Sequence, residues 1–421
     1  MKSILNSLNR PAMLLVLWML WPVAMNGQTV VFGCTDPNAT NYNPEATTND
    51  GTCLYPTTVI ELPMLFELPN AVKESSGLAF FNGKLWTFND SGGQPILYAV
   101  DTISGNVTQK ITLAGASNVD WEDITTDDDF VYVADVGNND GNRTDLTIYK
   151  VLKSSIPVAG NSTVQADRIF FVYEDQYLPG LKSEHNFDCE AIVAAGDSLY
   201  LFTKNRADQR CNLYCVPKTP GSYTAKKLSG FNSNGLITGA DFDPEARQVV
   251  LTGYSKGTYV PFLWILWDFP GFDFLKGNKR RFELVNLLAT QTEGVAFYAP
   301  FRTFVSAEKS SGYSARVFRL NTSMWTGFTS LHQNIKTTAQ KKMELIENPV
   351  KDYVLKIKQM YFEGQFRFAI FDSYGRQVCV FDREARNSVP IQIDLHGLRA
   401  GFYLITATSL HQTYYSSFIL P

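Results

Sequence analysis

Between positions 57 and 330 short apolar runs alternate with polar residues, and Gly, Asn, Asp and Pro interrupt them every few positions. A period of two with almost no sustained helical period predicts an all-β region. The stretch is longer than an ordinary sandwich, which directs attention to internal repeats. Five segments align as strand, turn, strand: 74–90 opening ESSGLAFF, 121–135 opening WEDITT, 189–204 opening CEAIVA, 238–254 opening TGADFD and 292–308 opening TEGVAF. Their turns fall at Asn82-Gly83, Asp127 to Asp129, Gly196-Asp197, Asp243-Pro244 and Ala299-Pro300. A third strand follows several of them, as in PILYAV, LTIYKV, CNLYCV and ARVFRL. The pattern predicts a five- or six-bladed β-propeller over 57–330, with TTVIELPMLFEL available to close the ring.

A polar stretch, LHQNIKTTAQKK, follows and reads as a linker over 331–342. From 343 to 421 the alternation resumes in four strand-like runs with turns at Asn348-Pro349, Gly375 and Gly401, which predicts a small immunoglobulin-like β-sandwich. At the other end, Lys2 and Arg10 flank a short polar start, and a short apolar run, MLLVLWMLWPVAM, follows from Met13. That run is too short and wrongly flanked for a stable span, so 1–27 reads as a signal peptide and the mature chain has no predicted transmembrane segment.

Export permits disulfides. Cys34 and Cys53 bracket a 28–56 segment with almost no aliphatic residues, which needs a staple to hold a shape. Cys211 and Cys215 stand four apart in one predicted strand, about 13 Å if extended and too far to bond. A link from Cys189 to one of them is the expectation. The 421 residues are 45% hydrophobic and 19% charged with a formal net charge of -4, and no Lys/Arg run provides the electrostatic footprint of nucleic-acid binding.

Asn348-Pro349 ahead of a strand, DSYGR from Asp372 and LRAGFY from Leu398 resemble the three blocks of the C-terminal type A sorting domain of the type IX secretion system. The resemblance implies the type IX machinery as a partner and an extracellular or outer-membrane-surface destination. One departure is the ending SSFILP, where that family usually finishes on a basic residue. The 28–56 segment is similar to a short Cys-bracketed repeat of exported Bacteroidetes-type proteins, in which Asp36, Glu45 and Asp50 would either hold calcium or keep the loop soluble. NDSGG at Asn89, DWEDI at Asp120, DVGNN at Asp135, DCEAI at Asp188 and TEGVAF at Thr292 distantly resemble the esterase-like phytase group, a likeness that implies a propeller fold without fixing a reaction.

Strand geometry gathers chemistry from the repeats. If each unit is a hairpin, the start of its first strand lies beside the end of its second. The first column reads Ser76, Glu122, Glu190, Gly239 and Glu293, and the second reads Asp90, Asp135, Lys204, Tyr254 and Glu308. Innermost strands surround a propeller's channel, so both columns are expected at one mouth, with Glu74 on the same side as Ser76. Carboxylates so close need a cation, hydrogen bonds or raised pKa values. An all-oxygen set favours Ca2+, with Glu122, Glu190 and Glu293 as ligands, while a purely structural tie between blades explains the same residues without an ion. The four histidines are scattered, and only His185 is near the repeats.

Two functions follow. One is binding of an extracellular ligand, such as a glycan, a peptide or a phosphorylated molecule, at the channel mouth. The other is calcium-dependent hydrolysis of a phosphoester or lactone, with Lys204 stabilising developing negative charge. GxSxG, HExxH and Walker motifs do not occur, which favours binding.

Overall fold

The computed structural model describes residues 30–177, 184–287, 290–310, 312–326, 341–359, 364–372, 377–385, 390–408 and 413–421. The expected signal peptide, most of the expected linker and most of DSYGR lie outside them. No helix among the described residues is long and apolar enough to cross a membrane.

Five blades surround one axis. Their inner strands, Ser75–Phe81, Trp121–Thr126, Cys189–Ala195, Leu236–Asp243 and Thr292–Ala299, pack side by side in that order, and the last packs against the first. Each continues outward through antiparallel neighbours, as Ser198–Thr203, Cys211–Pro217 and Gly221–Phe231 do in the third blade. The outer strands of the second and third blades, Asp167–Tyr173 and Gly221–Phe231, also pair with each other in parallel. The fifth blade takes its outer strand from upstream of the first: Met64–Glu67 runs antiparallel to Arg316–Asn321, with Phe66 opposite Val317. One sheet thus joins the two ends of the propeller sequence and closes the ring.

Inner strands are packed on both faces, so their sequences are continuous runs and not alternations. Cys189–Ala195 is buried at every position, whereas the outer Asp167–Tyr173 alternates. Five apolar clusters fill the five interfaces between blades, represented by Phe88 with Trp121, Tyr132 with Ile192, Phe202 with Phe274, Phe282 with Phe318, and Leu78 with Phe304. Carboxylates add directional ties, one fully buried and one partly so. Asp123 accepts from Ile124 N at 2.8 Å, from Ile192 N at 2.9 Å and from Ala240 N at 3.2 Å, linking three blades. Asp241 accepts from Phe242 N at 2.9 Å and from Phe297 N at 2.7 Å in the next blade.

The stapled segment docks on the fourth blade. Cys34 and Cys53 are bonded. Tyr55 packs on Trp267 at 5.3 Å, and Asn49 Nδ2 donates to Asp268 Oδ2 and Asn278 Oδ1 at 2.9 Å each. Gly51, with φ +75°, lies so close to Lys276 O that a Cβ would collide with it. Asp36 accepts from Asn38 N at 2.9 Å and from Tyr55 OH at 2.7 Å, and Asp50 accepts from Thr52 N at 3.0 Å, so these two carboxylates are engaged in local turns.

Cys189 forms no disulfide, contrary to expectation, and Cys211 and Cys215 are also free. Cys189 sits on the inner strand and the other two on the third, with Ser198–Thr203 between them. Two ladder spacings separate such positions by about 9.5 Å, beyond the reach of a disulfide.

The C-terminal domain is a sandwich. A five-stranded sheet carrying Gly364–Asp372, Gly401–Thr408 and Thr413–Leu420 faces a three-stranded sheet carrying Val354–Gln359 and Ile391–Asp394 across a core of Leu355, Phe368, Ile405 and Phe418. Asn348 fastens the last strand by donating to Ser417 O at 3.1 Å and accepting from Ile419 N at 2.9 Å.

Burial raises Asp241 from its ordinary 3.8 to about 7, while the two backbone donors hold it back. The folded state therefore binds this proton more readily than the unfolded chain, so stability attributable to Asp241 falls as pH rises from about 4 to about 7. Urea unfolding across that range should show the decline in the wild type, and Asp241→Asn should flatten it.

Candidate functional site

Every inner strand steps out of register with its partner at the same depth, next to one mouth of the channel. Trp121 opposes Asp135 while Asp123 opposes Ala134, leaving Glu122 unpaired. Cys189 and Ala191 leave out Glu190, Ile237 and Gly239 leave out Thr238, Thr292 and Gly294 leave out Glu293, and Ser75 and Leu78 leave out Ser76 with Gly77. A bulged residue leaves the ladder and its side chain is re-aimed. The two hydroxyls tie blades together: Ser76 Oγ donates to Glu122 O at 2.7 Å and Thr238 Oγ1 to Thr292 O at 2.6 Å. The three glutamates turn to the mouth.

They meet there in a cavity of about 300 Å³ lined by Glu74, Ser76, Asp90, Glu122, Asn139, Glu190, Lys204, Arg206, Tyr254, Tyr259, Gln291, Glu293 and Glu308. Two of the sequence-derived column positions are displaced. In the fourth blade the bulged residue is Thr238, and Gly239 is back in the ladder. In the second blade Asp135 opposes Trp121, the rung held by Asn89 opposite Ser75 and by Thr203 opposite Cys189, so the column position falls on Val136. A slip of one residue turns a side chain to the other face. Asp135 instead accepts from Asp120 N at 3.0 Å and pairs with Arg143 at 3.1 Å, holding up the loop that carries Asp120.

The positive groups are already engaged. Lys204 Nζ pairs with Glu190 Oε2 at 2.6 Å and lies 5.3 Å from the Tyr254 ring. Arg206 pairs with Asp188 at 2.7 Å and with Glu190 Oε1 at 3.4 Å, and donates to Asn139 Oδ1. Both oxygens of Glu190 are thus occupied. Gln291 Nε2 donates to Glu308, and Asn139 Nδ2 donates to Asp120 Oδ2 at 3.0 Å. Glu122 and Glu293 have no side-chain hydrogen bond among the described residues, and Asp90 Oδ1 is buried without one.

Electrostatics follow from that inventory. Burial, followed by the charges of Glu190, Asp90 and Asp120, pushes Glu122 well above the carboxylate range. Burial also pushes Glu293 up, against the pull of Lys204 and with Glu190 adding to the rise. Asp120 is raised to about 6, chiefly by burial and then by Asp90. Burial opposes the charge on Lys204, but Glu190 foremost keeps its pKa above the ordinary value.

Asp120, Asn139, Arg206, Tyr259 and Gln291 belong to this region and stood outside the sequence-derived columns. The strand period of two signals two of them, since Asp120 precedes Glu122 by two residues and Arg206 follows Lys204 by two. The others come from loops. His185 is a framework residue: its Nδ1 accepts from Phe187 N at 3.2 Å and its Nε2 lies 3.1 Å from Asn139 O.

A closed propeller with a carboxylate-rich mouth and a separate C-terminal sandwich defines an all-β protein of modular design. The sandwich reveals the destination: residues 347–420 match the family described as the secretion system C-terminal sorting domain, so the protein is secreted or displayed at the cell surface. No curated protein matches the sequence. Among solved structures, the chain is similar to hydrazine synthase of Kuenenia stuttgartiensis at 13% identity and TM-score 0.30, covering 57% of this chain and 57% of that one. It is also similar to an exo-β-1,3-galactanase from Phanerochaete chrysosporium, solved with galactose, at 10% identity and TM-score 0.40, covering 86% of this chain and 98% of that one.

Two outcomes test the site's wiring and the tail. Lys204→Met leaves the buried Glu190 with only its longer contact to Arg206 and should destabilise the chain by up to about 3 kcal/mol in urea unfolding, whereas Glu122→Gln replaces a carboxyl with no ion-pair partner and should not destabilise in calcium-free buffer. Deleting residues 343–421 should leave the propeller inside the cell envelope of a type IX-competent host, read by fractionation and immunoblot.

Proposed function

We propose that the propeller is an exported binding protein that takes a small polyhydroxylated ligand, a saccharide, into the channel-mouth cavity. The observation that carries this reading is the cavity's wall, in which every lining residue is polar or a tyrosine and several carboxylates have no hydrogen-bond donor to satisfy them. Sugar hydroxyls supply such donors. Tyr254 and Tyr259, stacked at 5.5 Å between ring centroids, add an aromatic surface against which a pyranose ring can pack. The volume of about 300 Å³ suits one or two sugar units.

Charge weighs against the phosphorylated ligand and the phosphoester substrate considered from the sequence. Six carboxylates and two cations line the cavity, and both cations already pair with carboxylates. An anion would therefore enter against a negative field, which one bound divalent cation reduces without reversing. Of Glu122, Glu190 and Glu293, the ligand set of a calcium-dependent hydrolase, Glu190 is taken by Lys204 and Arg206.

Glycan-array screening of the full chain, followed by calorimetry on the best ligand, is the direct test. Binding should be saturable and should weaken at least about tenfold in Tyr259→Ala and Glu293→Gln, the loss expected for one or two well-made contacts. Turnover of phosphoester or lactone substrates with no glycan binding would replace this reading with the hydrolytic one.

A further inference from the structure

Asp90, Asp120 and Glu122 present carboxylate oxygens that all lie within 4.8 Å of one another. Two oxygens bound to one calcium ion at 2.3–2.6 Å can be at most about 5 Å apart, so this spacing fits a single ion. No Lys or Arg pairs with any of the three among the described residues; Arg143 is engaged by Asp135 and Asp145, and Lys204 and Arg206 by Glu190 and Asp188.

Three observations independent of the clustering point to a cation. Glu122 is only 6% exposed, yet its carboxylate, aimed into the cavity, accepts no hydrogen bond among the described residues. Asp90 Oδ1 is buried and equally without a partner. Glu293 in the fifth blade is 9% exposed and in the same condition, so the cavity holds a further unpaired carboxylate. The backbone makes room for the cluster as well. Gly137 backs directly onto Glu122 Oε1 and Asp120 Oδ2, and a Cβ there would run into both. Oxygen donors without His or Cys select a hard cation, and three protein ligands leave several of calcium's six to eight positions open.

We infer that Asp90, Asp120 and Glu122 hold a divalent cation of the calcium kind at the channel mouth, and that hydroxyl oxygens of the ligand complete its coordination. The ligand set differs from the one read from sequence: Asp120 and Asp90 take the places of Glu190 and Glu293. The cation site stands on the geometry of the three carboxylates, whereas the second half of the inference rests on the saccharide reading.

Calorimetric titration of the chelator-stripped full chain with CaCl2, with bound ions counted by mass spectrometry, tests the site. One calcium per chain is expected. Asp120→Asn, Glu122→Gln and Gly137→Ala should each weaken it about 100-fold or more, while Asp50→Asn in the stapled loop should leave it in place. The two isosteric amide variants remove charge repulsion and should fold, as circular dichroism in chelator will show. A wild-type chain that takes up no calcium at about 1 mM overturns the site, since even weak extracellular modules bind there. So does binding unaffected in all three variants, or binding lost in Asp50→Asn. Saccharide binding that persists unchanged in chelator overturns only the shared coordination, and a calcium-loaded chain that binds no saccharide overturns only the saccharide reading.

Discussion

One extra residue, set at the same depth in each of five inner strands, decides where charge sits in this propeller. An inner strand packed on both faces accepts a polar side chain along its length only where a neighbouring blade supplies hydrogen bonds, as for Asp123 and Asp241. The bulge breaks the ladder where the strand leaves the apolar packing, and it gives the residue there a direction the pleat does not offer. Ser76 and Thr238 use that direction to bond the neighbouring blade, and Glu122, Glu190 and Glu293 use it to reach the channel mouth. Framework and cavity are therefore two uses of one backbone device.

Burying these carboxylates costs several kcal/mol per ion before any compensation. Lys204 and Arg206 compensate Glu190, and Arg143 compensates Asp135. Glu122, Asp90 and Glu293 have no such help, and the fold tolerates them because five apolar interfaces and a closing strand from upstream over-determine the ring. Local expense held in place by a well-packed scaffold is what a binding site requires. The DWED motif condenses the arrangement into four residues. Trp121 enters the core against Phe88, Asp123 ties three blades, and Asp120 and Glu122 turn to the mouth.

Much of this was legible in the sequence because propeller repeats keep their turns and inner-strand runs. The five hairpins, the closing strand ahead of the first repeat and the Cys34–Cys53 staple could all be read from turn residues, periodicity and composition. Register was harder. A bulge inserts a residue with no mark in the alternation, which moved the fourth-blade position from Gly239 to Thr238 and carried the second-blade position past Asp135 to Val136. The expected Cys189 disulfide failed for a related reason: sequence proximity among the three cysteines did not reveal that a whole strand lies between them. Asn139, Tyr259 and Gln291 reach the cavity from loops, whose paths follow from tertiary contacts that no local pattern encodes.

The central claim is that Asp90, Asp120 and the bulged Glu122 form a site for a cation and not merely a network tying blades together. A high-resolution crystal structure of the full chain grown with calcium addresses it most directly. The account predicts one ion bonded to Asp90, Asp120 and Glu122 at about 2.3–2.6 Å, with its remaining positions open to the cavity. Glu122 turned away to bond backbone N–H groups of a neighbouring blade, with no ion among the three carboxylates, would contradict it.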